Sequence, residues 1–156
     1  MVNGYYNFGR LKGIIANLKE SINDMEKALK AYDTLNDSGF EDIIANGIRM
    51  SFVQIREEVF SAVSSILKSS GISVNKFSNN MDMINECRKN GVFTKTDDSF
   101  FIILNKYRNS ACNRYKQPSV EDIKNFYENK KINIEFIIED LEKIINATKT
   151  DNNIMR

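Results

Sequence analysis

A chain of 156 residues suits one domain with a real core, and 42% hydrophobic with 28% charged residues is ordinary for a soluble globular protein. A net charge of +1 excludes wholesale coating of nucleic acid and a polybasic membrane contact. One proline and seven glycines leave few breakers and favour long helices.

The first helix is expected from about Phe8 to Leu35. Leu11, Ile14, Leu18, Ile22, Met25, Leu29 and Tyr32 alternate steps of three and four, which lays one apolar stripe on a helix. Asn36-Asp37-Ser38-Gly39 then supplies a turn. A second helix from about Glu41 to Ser69 carries Ile44, Ile48, Phe52, Ile55, Val59, Ala62 and Ile66 at the same spacing, and Gly71 suits the left-handed position after it. Two long helices joined by a short turn should pack as an antiparallel hairpin. Their stripes also have a second use, as a seam between two copies of the chain.

Val74 to Asn90 reads as a shorter helix ending at Gly91, with Phe77, Met81, Ile84 and Cys87 or Arg88 toward the core. Thr94 to Asp98 is a polar connection. A fourth helix follows from about Asp98 to Arg114, with Phe101, Leu104, Arg108, Ala111 and Tyr115 on roughly one side and acids in its first turn. Pro118 breaks the chain. Ser119 with Asp122 three residues on is a short-armed capping box. The fifth helix runs to about Thr148 through Val120, Ile123, Tyr127, Ile134, Ile137, Leu141 and Ile144, with a kink or exposed turn at Asn129 to Lys131. The expected fold is therefore all-α, an up-and-down bundle of about five helices. Residues 1–148 form one domain and 149–156 a frayed tail.

Residues 1–13 lack the apolar run of a signal peptide, and the longest apolar run, Phe100 to Leu104, is far short of a membrane span. Cys87 and Cys112 have no metal-ligand spacing and read as free buried thiols of a reducing cytoplasm. A cytoplasmic protein without metal or cofactor is expected.

The chemistry concentrates in Arg108-Asn109-Ser110-Ala111-Cys112-Asn113-Arg114-Tyr115. It lies in the most basic part of the chain: between Arg88 and Lys116, seven cations (Arg88, Lys89, Lys95, Lys106, Arg108, Arg114, Lys116) face two acids, Asp97 and Asp98. That stretch is either a local basic patch or a solvated face. The chain contains no histidine, which removes Ser-His-Asp and Cys-His nucleophiles, and it has no glycine-rich phosphate loop. The paired carboxylates Glu57-Glu58 and Glu139-Asp140-Glu142 read as solvated helix faces. Arg108 points toward an apolar side, so it is either paired with Glu57 or Glu58 or turned to a phosphate, for which its forked donors are suited. Tyr115 follows it by seven and shares its face. Asn113 follows by five, about 140° round a helix of 3.6 residues per turn. Arg108 and Asn113 converge only where the helix ends or where a second subunit contributes.

Order and spacing over residues 14–145 resemble the HEPN fold, and within it the nucleotidyltransferase substrate-binding proteins. The resemblance rests on a long helical hairpin containing Phe52 and Glu57-Glu58, closed by Ser70-Gly71-Ile72. It continues through Ile84 to Asn90 and Gly91-Val92-Phe93, at the place of the family's Gly-Leu-Ile turn, then Asp97-Asp98 leading into Phe100 to Tyr115, and a last long helix. Arg108-Asn109 match the Arg-Asn pair of the family motif and Tyr115 its terminal tyrosine. Asn113 stands where the family has histidine.

The resemblance implies a dimer with the motif in a cleft at its interface, and a minimal nucleotidyltransferase as partner, in a bacterial toxin–antitoxin or defence pair. Toxin members cleave RNA without metal through Arg and His, and the motif tyrosine accepts nucleotide from the partner. Carried over, Arg108 and Asn113 stand at the catalytic positions, Tyr115 is the nucleotide acceptor, and Asn109, Arg114 and Lys116 face phosphate or RNA. Asn113 cannot shuttle a proton at neutral pH, so ribonuclease activity is expected to be absent or weak. A naturally binding-only member and a deliberate replacement of the histidine both fit. So do two rival readings: a metal-independent RNase toxin, active in the form with histidine in place of Asn113, and an unrelated helical immunity or antitoxin protein.

Overall fold

The computed structural model describes residues 6–35, 39–111 and 117–154, the side chains of 108–111 and 148–154 excepted. Five α-helices and one 3-10 turn follow in order: α1 (Phe8–Thr34), α2 (Glu41–Ser69), the turn Val74–Lys76, α3 (Asn80–Lys89), α4 (Asp98–Ala111) and α5 (Val120–Ile154). The fold is an all-α helical bundle, with no strand among the described residues.

α1 starts where Asn7 caps it, its Oδ1 accepting the Arg10 N–H at 3.0 Å. The stripe expected on α1 is the buried one: Leu11, Ile14, Leu18, Met25 and Leu29 are all inside, with Ile22 and Tyr32 packed at the edge. On α2, Ile48, Phe52, Ile55, Val59, Ala62 and Ile66 are buried. The two stripes thus close mainly on their own chain, which leaves less of them for an intermolecular seam. α2 ends in a Schellman closure. Gly71 turns left-handed at φ +73°, its N–H reaches Lys68 O, and the Ile72 N–H reaches Leu67 O.

α2 is the central element and touches all four other α-helices. α5 lies across α1 and α2, held at its edges by a Tyr127 hydroxyl donated to Glu26 at 2.8 Å and by the ion pairs Lys124–Asp33 and Lys19–Glu142. An aromatic cluster fastens α4 between α2 and α5. Phe126 meets Phe52 edge-on at 5.5 Å and stacks on Phe100 at 5.8 Å, and Tyr107 packs on both Phe52 and Phe126.

Two expectations for the helices need correction. The segment from Val74 to Asn90 is not one helix. Phe77 and Asn79 are extended, and α3 starts only after Asn79, whose Oδ1 caps the Asp82 N–H at 2.9 Å. A short polar side chain that can bond the backbone outside a helix favours the cap over the interior. α5 shows no break at Asn129 to Lys131 and keeps helical backbone to Ile154, beyond the expected end at Thr148. Its polar interruption is an exposed face from which Lys130 reaches Asp97 at 3.2 Å.

The loop from α3 to α4 is tightly fixed. α3 closes as α2 does, with Gly91 at φ +80° and the Val92 N–H on Cys87 O. Phe93 follows at φ +61°, left-handed and fully buried. Such a conformation costs a residue with a Cβ and persists only when its surroundings over-determine it. Here Asp140 accepts the Phe93 N–H at 2.9 Å, while Arg88 Nε and the Thr96 hydroxyl donate to its carbonyl. Asp140 is therefore a half-buried anchor and not part of a solvated face.

Candidate functional site

Arg108 and Asn109 lie in the closing turn of the described part of α4, which runs to Ala111. Their side chains, together with Asn113, Arg114, Tyr115 and Lys116, lie outside the described residues, as does Cys112. What the structure does define is the frame around them. Tyr107, one residue before Arg108, is held against Phe52 of α2 at 6.0 Å. On the far side of the motif, the carbonyl of buried Pro118 accepts from Arg49 Nε at 3.1 Å. The motif segment therefore leaves and rejoins the bundle along α2.

The side of α2 that meets these flanks carries two arginines seven residues apart. Arg56 donates from Nη2 to Asn105 Oδ1 at 2.9 Å, pairs through Nη1 with Glu57 at 3.3 Å, and lies over the Phe60 ring at 4.3 Å. Asn105 stands one helical turn before Arg108. Arg49 donates to Pro118 O and to Asn46 Oδ1, both neutral acceptors, and makes no ion pair among the described residues. Among the described residues its charge has no carboxylate partner. A guanidinium held through neutral acceptors keeps its full attraction for an anion.

Neither Arg49 nor Arg56 stands out in the sequence. Their spacing of seven puts them on one helix face, a signal that is present but silent until the neighbouring helix is known. The carboxylates expected near Arg108 divide. Glu57 meets Arg56, whereas Glu58 turns to α1 and accepts from Asn17 Nδ2 at 3.2 Å.

The first three cations of the basic stretch, Arg88, Lys89 and Lys95, each have a separate local partner. Arg88 is a clamp for the loop: it donates to the Phe93 and Thr96 carbonyls and to Asn85, pairs with Asp98, and faces the Phe101 ring. Lys89 pairs with Glu86, and Lys95 sits over Phe136. Cys87 is buried against Val63 O, and burial first, then Glu86, pushes its thiol up to about 12, so it stays protonated and unreactive. No cluster of acids and cysteines that could hold a metal occurs among the described residues, and no helix among them is long and apolar enough to cross a membrane.

No protein-family model matches the chain, and no curated protein or solved structure matches it significantly.

Proposed function

We propose that this chain is a HEPN-like dimeric partner of a minimal nucleotidyltransferase, belonging to a bacterial toxin–antitoxin or defence pair and lacking the ribonuclease histidine. The observation that carries the reading is that Arg108-Asn109 lie on α4 between two points where α2 arginines bond its surroundings, Arg56 to Asn105 before them and Arg49 to Pro118 after the motif. A phosphate held by Arg108 would sit in a field to which Arg49 adds positive charge, as arginines do where charge develops on phosphorus oxygens. Tyr115 is the proposed nucleotide acceptor, flanked by Arg114 and Lys116.

RNA cleavage without metal requires one group to take the proton of the ribose 2′-hydroxyl and another to protonate the leaving oxygen. Asn113 does neither at neutral pH, and a well-placed acid–base group contributes about 10²–10⁴ in rate. The test is cleavage of total RNA by this chain and by its Asn113→His variant. The chain as it stands should cleave feebly or not at all. Asn113→His should raise the rate by about 10²–10⁴, and Arg108→Ala in that background should remove the gain. Equal cleavage by both forms would point instead to an RNase that needs no histidine. No gain in the histidine form would leave an unrelated helical interaction module.

A further inference from the structure

We propose that the cleft between the start of α1 and the end of α2 binds a phosphate group, using Arg10 and Lys68. The cleft, of about 590 Å³, is lined by Tyr6, Asn7, Arg10, Ser64, Ser65 and Lys68, with Leu11 and Ser69 completing its wall. Among the described residues its lining holds two cations and no carboxylate. Neither cation makes an ion pair among the described residues, whereas Lys19, Arg56, Arg88, Lys89, Lys124 and Lys130 all do. Two uncompensated cations in one concave site attract an anion.

The geometry favours several oxygens over one. Arg10 Nε donates to Ser65 Oγ at 3.0 Å, which fixes the guanidinium and leaves its Nη edge for a ligand. Ser65 Oγ accepts in that bond, so its own proton is available to donate, and Ser64 adds a second hydroxyl. The opening turn of α1 has no acidic residue to occupy its positive end. At the opposing end of α2 the Ile66, Leu67 and Lys68 carbonyls are taken up by hydrogen bonds from Ser69 to Ile72, and Lys68 sets a positive charge beside them. Burial, partly offset by a hydrogen bond to Ser69, raises the Tyr6 phenol, which therefore stays neutral and does not repel an anion. A tetrahedral dianion satisfies this mixture of forked, point-charge and hydroxyl donors better than a planar carboxylate.

The test is an amide NMR titration of the full chain at low ionic strength, with inorganic phosphate and with adenosine 5′-monophosphate as separate probes. Saturable shifts are expected at residues 7–11 and 64–69, with acetate at equal ionic strength producing little. Tighter binding of the nucleotide means that the phosphate arrives on a larger ligand; equal binding means free phosphate. Arg10→Ala and Lys68→Ala, both on exposed side chains, should each weaken binding about tenfold. Arg10→Lys should recover only part of the loss, because the Ser65 bond needs Nε. Shifts that never saturate, that spread over lysines generally, or that persist in the Arg10→Ala Lys68→Ala double variant overturn the proposal.

Discussion

Asp140 accepts the backbone N–H of a buried phenylalanine held in a left-handed conformation, and this sets its ionisation. Burial raises its carboxyl above the ordinary 3.8; Glu139 adds to the rise, while the Phe93 N–H, Lys143 and Lys95 oppose it. The native state therefore holds the Asp140 proton more tightly than the unfolded chain does. Stability from this group is present in full below the ordinary aspartate value and falls as pH rises through the native one. Asp140→Asn keeps an oxygen for the Phe93 N–H without the buried charge. It should be neutral to stabilising at pH 7 and should flatten the fall in stability across the carboxylate range. Urea denaturation of both forms at several pH values checks this, and an Asp140→Asn variant clearly weaker than the parent at pH 7 would contradict it. None of this is legible in the sequence, where Glu139-Asp140-Glu142 looks like any charged helix face. The partner of Asp140 is a backbone group 47 positions away, and sequence patterns do not encode such distant pairings.

Helix boundaries are most readable where local chemistry sets them. Ser119 and Asp122 bond reciprocally, the Asp122 N–H to Ser119 Oγ at 3.0 Å and the Ser119 N–H to Asp122 Oδ2 at 3.4 Å, as their spacing predicts. Gly71 and Gly91 both take the left-handed position. The start of α3 is hidden for an instructive reason. Phe77, Met81 and Ile84 keep helical spacing across a break, because the 3-10 turn before it delivers Phe77 to the same side of the bundle. The local signal is Asn79 followed by Asp82 three residues later, the same grammar as at Ser119, with Asn79 Nδ2 also donating to Asp82 Oδ2 at 3.0 Å. Asn79→Ala and Ser119→Ala should each lower unfolding free energy by about 1 kcal/mol, measured by chemical denaturation. An Asn79→Ala variant as stable as the parent would mean that packing of Ile84 and Cys87 alone sets where α3 begins.

At the scale of the molecule, three-four periodicity is enough for the fold, since each long stripe finds its place in one core. The candidate site is legible only as a motif. Arg49 and Arg56 bond Pro118 and Asn105 on either side of the motif from another helix, and only the docking of α4 on α2 reveals them. On the dimeric reading, the exposed side of α2 is the natural contact: Phe40, Ile43 and Met50 are 58%, 69% and 60% exposed, and Gly47 lies open between the last two. Light scattering at micromolar concentration should give twice the chain mass, and Ile43→Glu with Met50→Glu should halve it with circular dichroism unchanged. A parent of single-chain mass would end the dimeric reading. The bond between Tyr127 and Glu26 has a different consequence. It joins residues 101 positions apart, so the helix that completes the core leaves the ribosome after the other four. Until α5 emerges, the side of the α1–α2 hairpin that it will cover stays open to water, and the nascent chain carries a sticky intermediate while the earlier helices wait for it.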